Sequence, residues 1–345
     1  MTDVELRAAF AEATGLPGHA ARVTRLPGGA GNRIYWRVDE PGTSVVVMEL
    51  PPEPKKSEEA SKAEAHAELP FLNVRRYLAR LGLRVPALLA DQAARGYLVI
   101  EDLGDQTLEL ALQAPGADWS AIYGAAVDAL AGLRARSEQA PDPDCAAFSR
   151  AFDFELYQWE FEHFIEYGLL ARGATPSAGE LATLRAHFTR VSEELAAAPR
   201  GFTHRDYQSR NIMVLPSREQ VVIDFQDALL GPRQYDLVAL LRDSYVELPR
   251  PLVESLLQRW LRAFSQAGGP LLDESAFSKF FDLLTVQRKL KDAGRFVFID
   301  RVKRNPAFLV HIPASLGYVR EALARLPQLA EVRGLLEKHV PELRT

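Results

Sequence analysis

One polar stretch near the middle of the chain constrains the fold more than any other. Two short runs of β-branched and apolar residues, 212–215 and 221–223, flank a polar turn and predict a β-hairpin. Asp206 and Asn211 precede the first predicted strand, and Asp224 follows the second. We therefore expect the three side chains to converge at one end of the hairpin. Such oxygens suit magnesium, which is often held by one or two carboxylates together with substrate phosphates.

The spacing within this stretch is typical of phosphoryl-transfer enzymes. His204-Arg-Asp206 is followed after four residues by Asn211, and Asp224-Phe225 follows the predicted hairpin. Kinases space their catalytic base, metal-binding Asn and metal-binding Asp in this way. Ordinary turn residues are the alternative, but turn chemistry does not require this combination at these offsets. We predict Asp206 as the catalytic base, with Asn211 and Asp224 as ligands of Mg²⁺.

Other segments extend this pattern beyond the central stretch. They are His204-Arg-Asp-Tyr-Gln-Ser-Arg-Asn211, Asp224-Phe-Gln-Asp-Ala, Gly231-Pro-Arg-Gln-Tyr-Asp236-Leu-Val-Ala-Leu-Leu-Arg242-Asp243, Gln287-Arg-Lys-Leu-Lys291 and Leu316-Gly-Tyr318. In these segments the chain resembles the aminoglycoside-phosphotransferase-like small-molecule kinases, which share the protein-kinase fold. Within that family it looks similar to the bacterial amino-sugar kinases that phosphorylate N-acetylmuramate and N-acetylglucosamine at the anomeric hydroxyl. The resemblance covers most of the chain.

The resemblance implies an α+β, bilobal, protein-kinase-like fold. Residues 1–105 would form a small nucleotide-binding lobe with a five-stranded antiparallel sheet, ending in the hinge. Residues 106–345 would form a large, mainly helical lobe with the catalytic loop, the metal site and the substrate pocket. Apolar periodicity agrees, because short strand-like runs precede residue 100 and helical spacing follows residue 107, including a predicted helix at 273–293. Asp236, near the start of another predicted helix, is expected to brace the catalytic loop.

Two segments are predicted to bind ATP. A glycine-rich turn between strands lets the backbone approach a triphosphate closely, although in many hairpins such a turn is only a turn. In the resembled fold, backbone groups of the hinge hydrogen-bond the adenine. The predicted nucleotide-binding residues are Gly28, Gly29, Gly31, Asn32, Glu101 and Leu103.

The third predicted strand departs from the protein-kinase pattern. Protein kinases place a phosphate-binding lysine there, whereas this strand has none and Glu49 stands near the expected place. The amino-sugar kinases look similar at this point. The candidate cations that could replace the lysine are Arg33, Lys55, Lys56 and Lys62.

The sequence favours a small substrate. Only about ten residues separate Asp224 from the helix near Tyr235, too few for an activation segment that docks a peptide. The formal net charge of −5 argues against a nucleic-acid partner. Between residues 287 and 305, seven basic residues stand against two acidic ones. Such a helix face would repel a polycationic aminoglycoside and attract a carboxylate such as the lactyl group of N-acetylmuramate, unless it is simply solvated.

We therefore predict an amino sugar as substrate, bound by Gln208, Arg210, Gln226, Asp227, Arg288 and Lys291. An aminoglycoside phosphotransferase and a choline- or homoserine-type kinase stay open, as does a non-catalytic nucleotide-binding pseudokinase. Cationic substrates need acidic or aromatic receptors, and the retained Asp206, Asn211 and Asp224 oppose the pseudokinase. A single cysteine, no secretory signal and no apolar run of membrane-spanning length predict a cytoplasmic protein without a membrane partner.

Overall fold

The computed structural model describes residues 1–27, 33–51 and 68–344. The predicted phosphate-covering residues Gly28, Gly29, Gly31 and Asn32 lie outside the described residues. So do three of the candidate cations, Lys55, Lys56 and Lys62. Within the described ranges, no helix is both long enough and apolar enough to cross a membrane.

Strands and helices follow one another in an α+β pattern. The strands are β1 (Arg22–Arg25), β2 (Ile34–Glu40), β3 (Thr43–Glu49), β4 (Leu88–Gln92), β5 (Tyr97–Glu101), β6 (Arg200–Thr203), β7 (Ile212–Val214), β8 (Gln220–Val222) and β9 (Leu229–Pro232). The helices are α1 (Asp3–Thr14), α2 (Pro70–Arg80), α3 (Leu108–Ala111), α4 (Trp119–Gln139), α5 (Phe154–His163), α6 (Ala178–Ala196), α7 (Tyr235–Leu241), α8 (Arg250–Gln266), α9 (Glu274–Lys303), α10 (Ile312–Leu323) and α11 (Ala330–His339).

Contacts divide the chain into two units. The first comprises Met1–Ala63, Arg84–Gln106 and Met213–Ile223, and the second comprises Glu64–Leu83, Thr107–Ile212 and Asp224–Thr345. Each unit is therefore built from separate pieces of the chain. Asp206, Asn211 and Asp224 all belong to the second unit.

The first unit contains a five-stranded antiparallel sheet in the order β1-β2-β3-β5-β4. This confirms the predicted sheet. Helix α1 begins with a capping box, in which the Thr2 hydroxyl and the Glu5 carboxylate each accept a backbone N–H of the other. Its apolar residues Leu6 and Phe10 pack in one buried cluster with Val45 and Val47 of β3. Most of the β7–β8 pair also belongs to this unit and confirms the predicted hairpin.

The pleat of β3 determines where Glu49 points. Alternate residues of a strand share a face, so Glu49 lies on the α1 side with Val45 and Val47. There its carboxylate accepts a hydrogen bond from Trp36 Nε1 at 3.1 Å. Met48 lies on the opposite face and is fully buried. Glu49 therefore serves the packing beside α1, and its contacts give no support to a place among nucleotide phosphates.

Helix α9 organises the second unit. It is capped by Asp273, whose carboxylate accepts the N–H of Ala276 at 2.7 Å, and it ends where Arg304 takes a left-handed φ of 58°. The predicted helix at 273–293 is thus confirmed but continues to Lys303. At Gly294 the helix meets the π-helical segment Phe164–Leu169 that follows α5. A Cβ there would lie 3.0 Å from the Phe164 Cα, so glycine permits this close approach.

Candidate active site

The loop between β6 and β7 is fixed by a carboxylate from α7. Asp236 accepts the backbone N–H groups of His204 and Arg205 at 2.7 and 2.9 Å. These two bonds confirm the bracing role predicted for Asp236. Arg205 has a φ of 80°, a conformation that is costly for a residue with a side chain. The brace holds the loop in that conformation.

A second buried carboxylate fixes the other end of the loop. Asp243 accepts both the N–H and the hydroxyl of Ser209, at 2.8 and 2.6 Å, and also the N–H of Tyr245 at 3.1 Å. Burial raises the pKa of Asp243, while the bonds from Ser209 act in the opposite direction. Asp243 was not among the site residues predicted from the sequence. Its only signal was its position after Arg242, at the end of the segment that follows Asp236.

Asp206 and Asn211 are joined directly within this loop. The Asn211 side-chain NH₂ donates to the Asp206 backbone carbonyl at 2.9 Å. The Asp206 side chain is 37% exposed. Burial favours its neutral form, but the positive charges of Arg205 and Arg288 outweigh that effect and hold the pKa of Asp206 below its usual value. Asp206 is therefore an ionised, accessible carboxylate that can accept a proton.

Asp224 follows β8 and is exposed. It has a φ of 64°, which is rare for residues other than glycine, although Asp tolerates it better than most. Gln226 donates to the Asp224 carboxylate at 2.7 Å and to the Asp227 carboxylate at 3.3 Å. The structure thus groups Asp224, Gln226 and Asp227 on one short turn.

The oxygen atoms of Asn211 and Asp224 fit a magnesium ion by their chemistry. Among the described residues, no group of three or more His, Cys, Asp or Glu side chains forms a metal site complete in itself. Magnesium does not require such a cage, because it commonly takes one or two protein ligands and completes its octahedron with phosphate oxygens and water.

The basic stretch of α9 is buried at its start and exposed at its end. Arg288, Lys289 and Lys291 are 0, 1 and 7% exposed, whereas Arg301 and Lys303 are exposed. The seven basic residues therefore do not share the basic helix face expected from the sequence, because the first three of them are buried. Burying a charge costs several kcal/mol unless partners compensate, so the first group should have partners.

Those partners are specific. Arg288 Nη2 donates to Asp206 Oδ1 at 3.4 Å, and its guanidinium lies 4.7 Å from the centre of the Tyr235 ring. Lys289 donates to Ser244 Oγ and Asp292 Oδ2, both at 2.6 Å. Lys291 Nζ lies 3.2 Å from Asp292 Oδ1. Arg288 therefore contacts Asp206, and the charge of Lys291 also acts on the Asp206 carboxylate. Lys289 instead supports the fold around Ser244.

The two remaining predicted substrate residues lie in the loop itself. The Gln208 N–H donates to the Asp206 carbonyl at 2.9 Å, and its half-buried side chain follows the catalytic candidate directly. Arg210 donates two bonds to Glu109, at 2.6 and 3.0 Å, and stacks 3.7 Å from the centre of the Tyr245 ring. The guanidinium of Arg210 is thus already held by two partners.

The hinge residues lie at the end of β5 in the first unit. The Glu101 carboxylate accepts two hydrogen bonds from Arg84, at 2.9 and 2.5 Å. The backbone N–H of Glu101 donates to the Ala87 carbonyl. Arg37, which was not among the predicted site residues, donates to the carboxylates of Asp102 and Asp105. These ion pairs tie the segment around Leu103 to the sheet.

The chain is similar to known phosphotransferases and kinases along most of its length. The model of the phosphotransferase enzyme family matches residues 22–274. An N-acetylmuramate/N-acetylglucosamine kinase of Pseudomonas aeruginosa is 34% identical over 88% of this chain and 84% of its own. An enzyme of the same name from Pseudomonas putida is 31% identical over 92% of this chain and 88% of its own.

The solved structure of a choline kinase from Streptococcus pneumoniae has a TM-score of 0.60 to this chain. The two are 14% identical, and the match covers 94% of this chain and 99% of that one. This likeness concerns the fold alone, and it confirms the predicted kinase-like class. The family model covers most of the chain and the two relatives exceed 30% identity, so the chain belongs to the phosphotransferase enzyme family.

Proposed function

We propose that this protein is an ATP-dependent kinase that phosphorylates the anomeric hydroxyl of an amino sugar, N-acetylmuramate or N-acetylglucosamine. The main support for the proposal is the catalytic loop, which Asp236 holds in place through hydrogen bonds to its backbone. In this loop the Asp206 carboxylate is ionised and accessible, and Asn211 donates to the Asp206 backbone carbonyl. The identity of the sugar is supported by the names of the relatives from Pseudomonas. We propose that the reaction takes place in the cytoplasm, where ATP is available.

In the proposed reaction, Asp206 accepts the proton of the sugar hydroxyl. The hydroxyl oxygen bonds to the γ-phosphorus of ATP, and the bond from that phosphorus to the bridging oxygen breaks. The electron pair of that bond leaves with ADP. Asp236 and Asp243 hold the loop so that the Asp206 carboxylate is aimed before the substrate binds. Such positioning, together with charge stabilisation, accounts for most of catalysis in phosphoryl transfer.

We assign Mg²⁺ to the oxygens of Asn211 and Asp224, where it would neutralise charge on the ATP phosphates. The exposed Asp224 carboxylate is accessible to a hydrated ion. We assign the nucleotide to residues 1–105, with Glu101 and Leu103 at the adenine. Residues 106–345 then carry the catalytic loop and the sugar. Gln208, Gln226 and Asp227 lie beside Asp206 or Asp224 and are proposed to contact the substrates.

The test combines product analysis with one substitution. Enzyme, ATP and magnesium are incubated with N-acetylmuramate, N-acetylglucosamine, kanamycin and choline, and the phosphate is located by phosphorus NMR. We expect a sugar 1-phosphate. Asp206→Asn should fold normally and lose about 10²–10⁴-fold in kcat, the usual contribution of a positioned general base.

Three results would count against the proposal. Phosphorylation of kanamycin or choline alone would exclude an amino-sugar kinase. A product with phosphate on the 6-hydroxyl would exclude the anomeric position. Near-normal turnover by the Asp206→Asn variant would show that Asp206 is not the catalytic base.

A further inference from the structure

Three polar side chains lie fully buried where α5 and α9 meet. They are Glu160, Gln287 and Arg288, each 0% exposed. Gln287 Nε2 donates to Glu160 Oε2 at 2.6 Å, and the charge of Arg288 acts on the Glu160 carboxylate. Arg288 also reaches Asp206, so this group lies directly behind the proposed catalytic carboxylate. Neither Glu160 nor Gln287 has a role in the reaction as described above.

Each of these side chains has polar atoms with nothing to bond. Among the described residues, neither Glu160 Oε1 nor Gln287 Oε1 has a hydrogen-bond partner, and the same holds for Arg288 Nε and Nη1. A buried polar group left unsatisfied costs about 1–3 kcal/mol. Native proteins contain few of them. Two acceptors and two donor nitrogens on three neighbouring side chains therefore point to a ligand that bonds there.

The charges around Glu160 support the same conclusion. Burial raises the pKa of Glu160, even though Lys291, Gln287 and Arg288 act in the opposite direction. The surrounding protein groups thus stabilise the charged form of Glu160 by less than burial destabilises it. An N–H donor from a ligand would supply what is missing.

The free atoms are complementary to a secondary amide. An amide has one N–H, which suits Glu160 Oε1, and one carbonyl oxygen, which suits the Arg288 guanidinium. A carboxylate at this place would be repelled by Glu160, and an ammonium would be repelled by Arg288 and Lys291. Position also fits, because Arg288 Nη2 lies 3.4 Å from Asp206 Oδ1. In a 2-acetamido sugar, the amide is carried by the carbon next to the one that bears the anomeric hydroxyl.

We propose that Glu160, Gln287 and Arg288 bind the acetamido group of the acceptor sugar. This inference rests on the proposed function and specifies its selectivity: the N-acetyl group, common to both sugars, is what the site recognises. The amide can reach these buried atoms only if side chains beside the partly exposed Asp206 move when the sugar binds. Side-chain rearrangements at binding sites are common.

Substrate analogues test the proposal without changing the protein. Wild-type kcat/KM is measured for N-acetylglucosamine, glucosamine and glucose. Loss of the amide leaves the buried groups unsatisfied, so we expect the two analogues to be at least about 10–100-fold poorer substrates. Equal kcat/KM for N-acetylglucosamine and glucose would overturn the inference and leave the kinase assignment intact. Failure to phosphorylate any of these sugars or N-acetylmuramate would instead overturn the proposed function and, with it, this inference.

A matched pair of variants tests the residue. In Glu160→Gln the amide oxygen faces Gln287, so an NH₂ group replaces Glu160 Oε1 and opposes the N–H of the sugar. The ratio of kcat/KM for N-acetylglucosamine over glucose should fall at least about tenfold. The control is Glu162→Gln, also on α5, where the half-exposed carboxylate pairs with Arg185 at 2.8 Å. It should keep the wild-type ratio.

Stability and binding complete the test. Thermal unfolding shows whether Glu160→Gln folds, and calorimetric titration with N-acetylglucosamine should show weaker binding than for the Glu162→Gln control. An unchanged substrate ratio in a folded Glu160→Gln protein would overturn the proposal. If that variant does not fold, the comparison of analogues on the wild-type protein decides.

Discussion

The two ends of the basic stretch on α9 contain similar residues in opposite surroundings. Arg288 and Lys289 near its start are almost completely buried, each beside a carboxylate. Arg301 and Lys303 at its end are exposed. A count of charges along the sequence cannot distinguish the two groups. Their partners distinguish them.

The difference has an energetic cause. Removing an ion from water costs several kcal/mol even after relaxation, so a buried cation persists only beside anions and hydrogen-bond acceptors. Asp206, Asp236 and Asp292 each experience the charge of Arg288. An exposed cation has no such requirement, and its ion pairs contribute little. The buried group should therefore affect both stability and activity, whereas the exposed group should have little effect on stability and none on activity.

The largest expected effect is that of Arg288→Met, which keeps an unbranched side chain of similar length but removes the charge. Because it leaves buried carboxylates without their cation, we expect the free energy of unfolding to fall by about 3–5 kcal/mol. Turnover should fall as well, since Asp206 loses a contact. The matched control is Arg301→Met, which should stay within about 0.5 kcal/mol of wild type. Urea unfolding measures both, and equal losses would contradict the comparison.

A pH effect should come from the buried side as well. His163, on α5 near Lys291, has its pKa lowered to about 4 by burial and by Arg295 and Lys291. Unfolding restores the ordinary value of about 6.5, so the unfolded chain binds a proton first as the pH falls. The contribution of His163 to the free energy of unfolding is therefore fully present above about pH 6.5. It falls by about 2–3 kcal/mol as the pH drops from about 6.5 to 4.

The comparison for this effect is His163→Phe, which keeps a ring among its neighbours Trp159, Tyr167 and Phe298. Relative to the variant, the wild-type protein should lose unfolding free energy as the pH falls from about 6.5 to 4. Parallel curves from pH 7.5 to 4 would show that His163 does not titrate as described.

A smaller effect is expected at Gly294, between the two ends of the stretch. A Cβ there would meet the Phe164 Cα at 3.0 Å and the His163 carbonyl oxygen at 3.2 Å. Overpacking of this kind costs about 1–3 kcal/mol, so Gly294→Ala should lower the melting temperature. In α10, an added Cβ at Gly317 has no described atom within 4 Å. Gly317→Ala should therefore raise stability by about 0.5–1 kcal/mol, and the same sign for both substitutions would contradict the close approach.

Features fixed by neighbouring residues were predictable from the sequence. The β7–β8 hairpin follows from two β-branched runs and a polar turn, and the spacing of Asp206 and Asn211 places both on one loop. Asp236 was recognisable as a brace because a carboxylate in a first helical turn seeks N–H donors. Here the donors belong to the loop instead of to the helix itself.

Features that depend on distant partners were not predictable. Glu160 and Gln287 are 127 residues apart in the chain, and Arg210 and Glu109 are 101 apart. Helical periodicity marks α9 as a helix but cannot tell which helices surround it. Its charged residues consequently indicated a surface where the structure has a buried network. The position of Glu49 was also not predictable, because the side of the sheet on which it lies depends on the pleat of β3.

The smallest effect is expected at the exposed end of α9, in the double variant Arg301→Gln, Lys303→Gln. Both cations lie in the last turn of the helix, where a positive charge interacts favourably with the helix dipole by about 0.3–1 kcal/mol at low salt. We expect a loss of about 0.5 kcal/mol at low ionic strength that disappears in 0.5 M salt, because exposed charges are screened. Substrate use should not change. Urea unfolding at two salt concentrations, with kcat/KM for N-acetylglucosamine, measures both. A change in sugar preference would show that the exposed end also contacts the substrate, which would remove the contrast between the two ends.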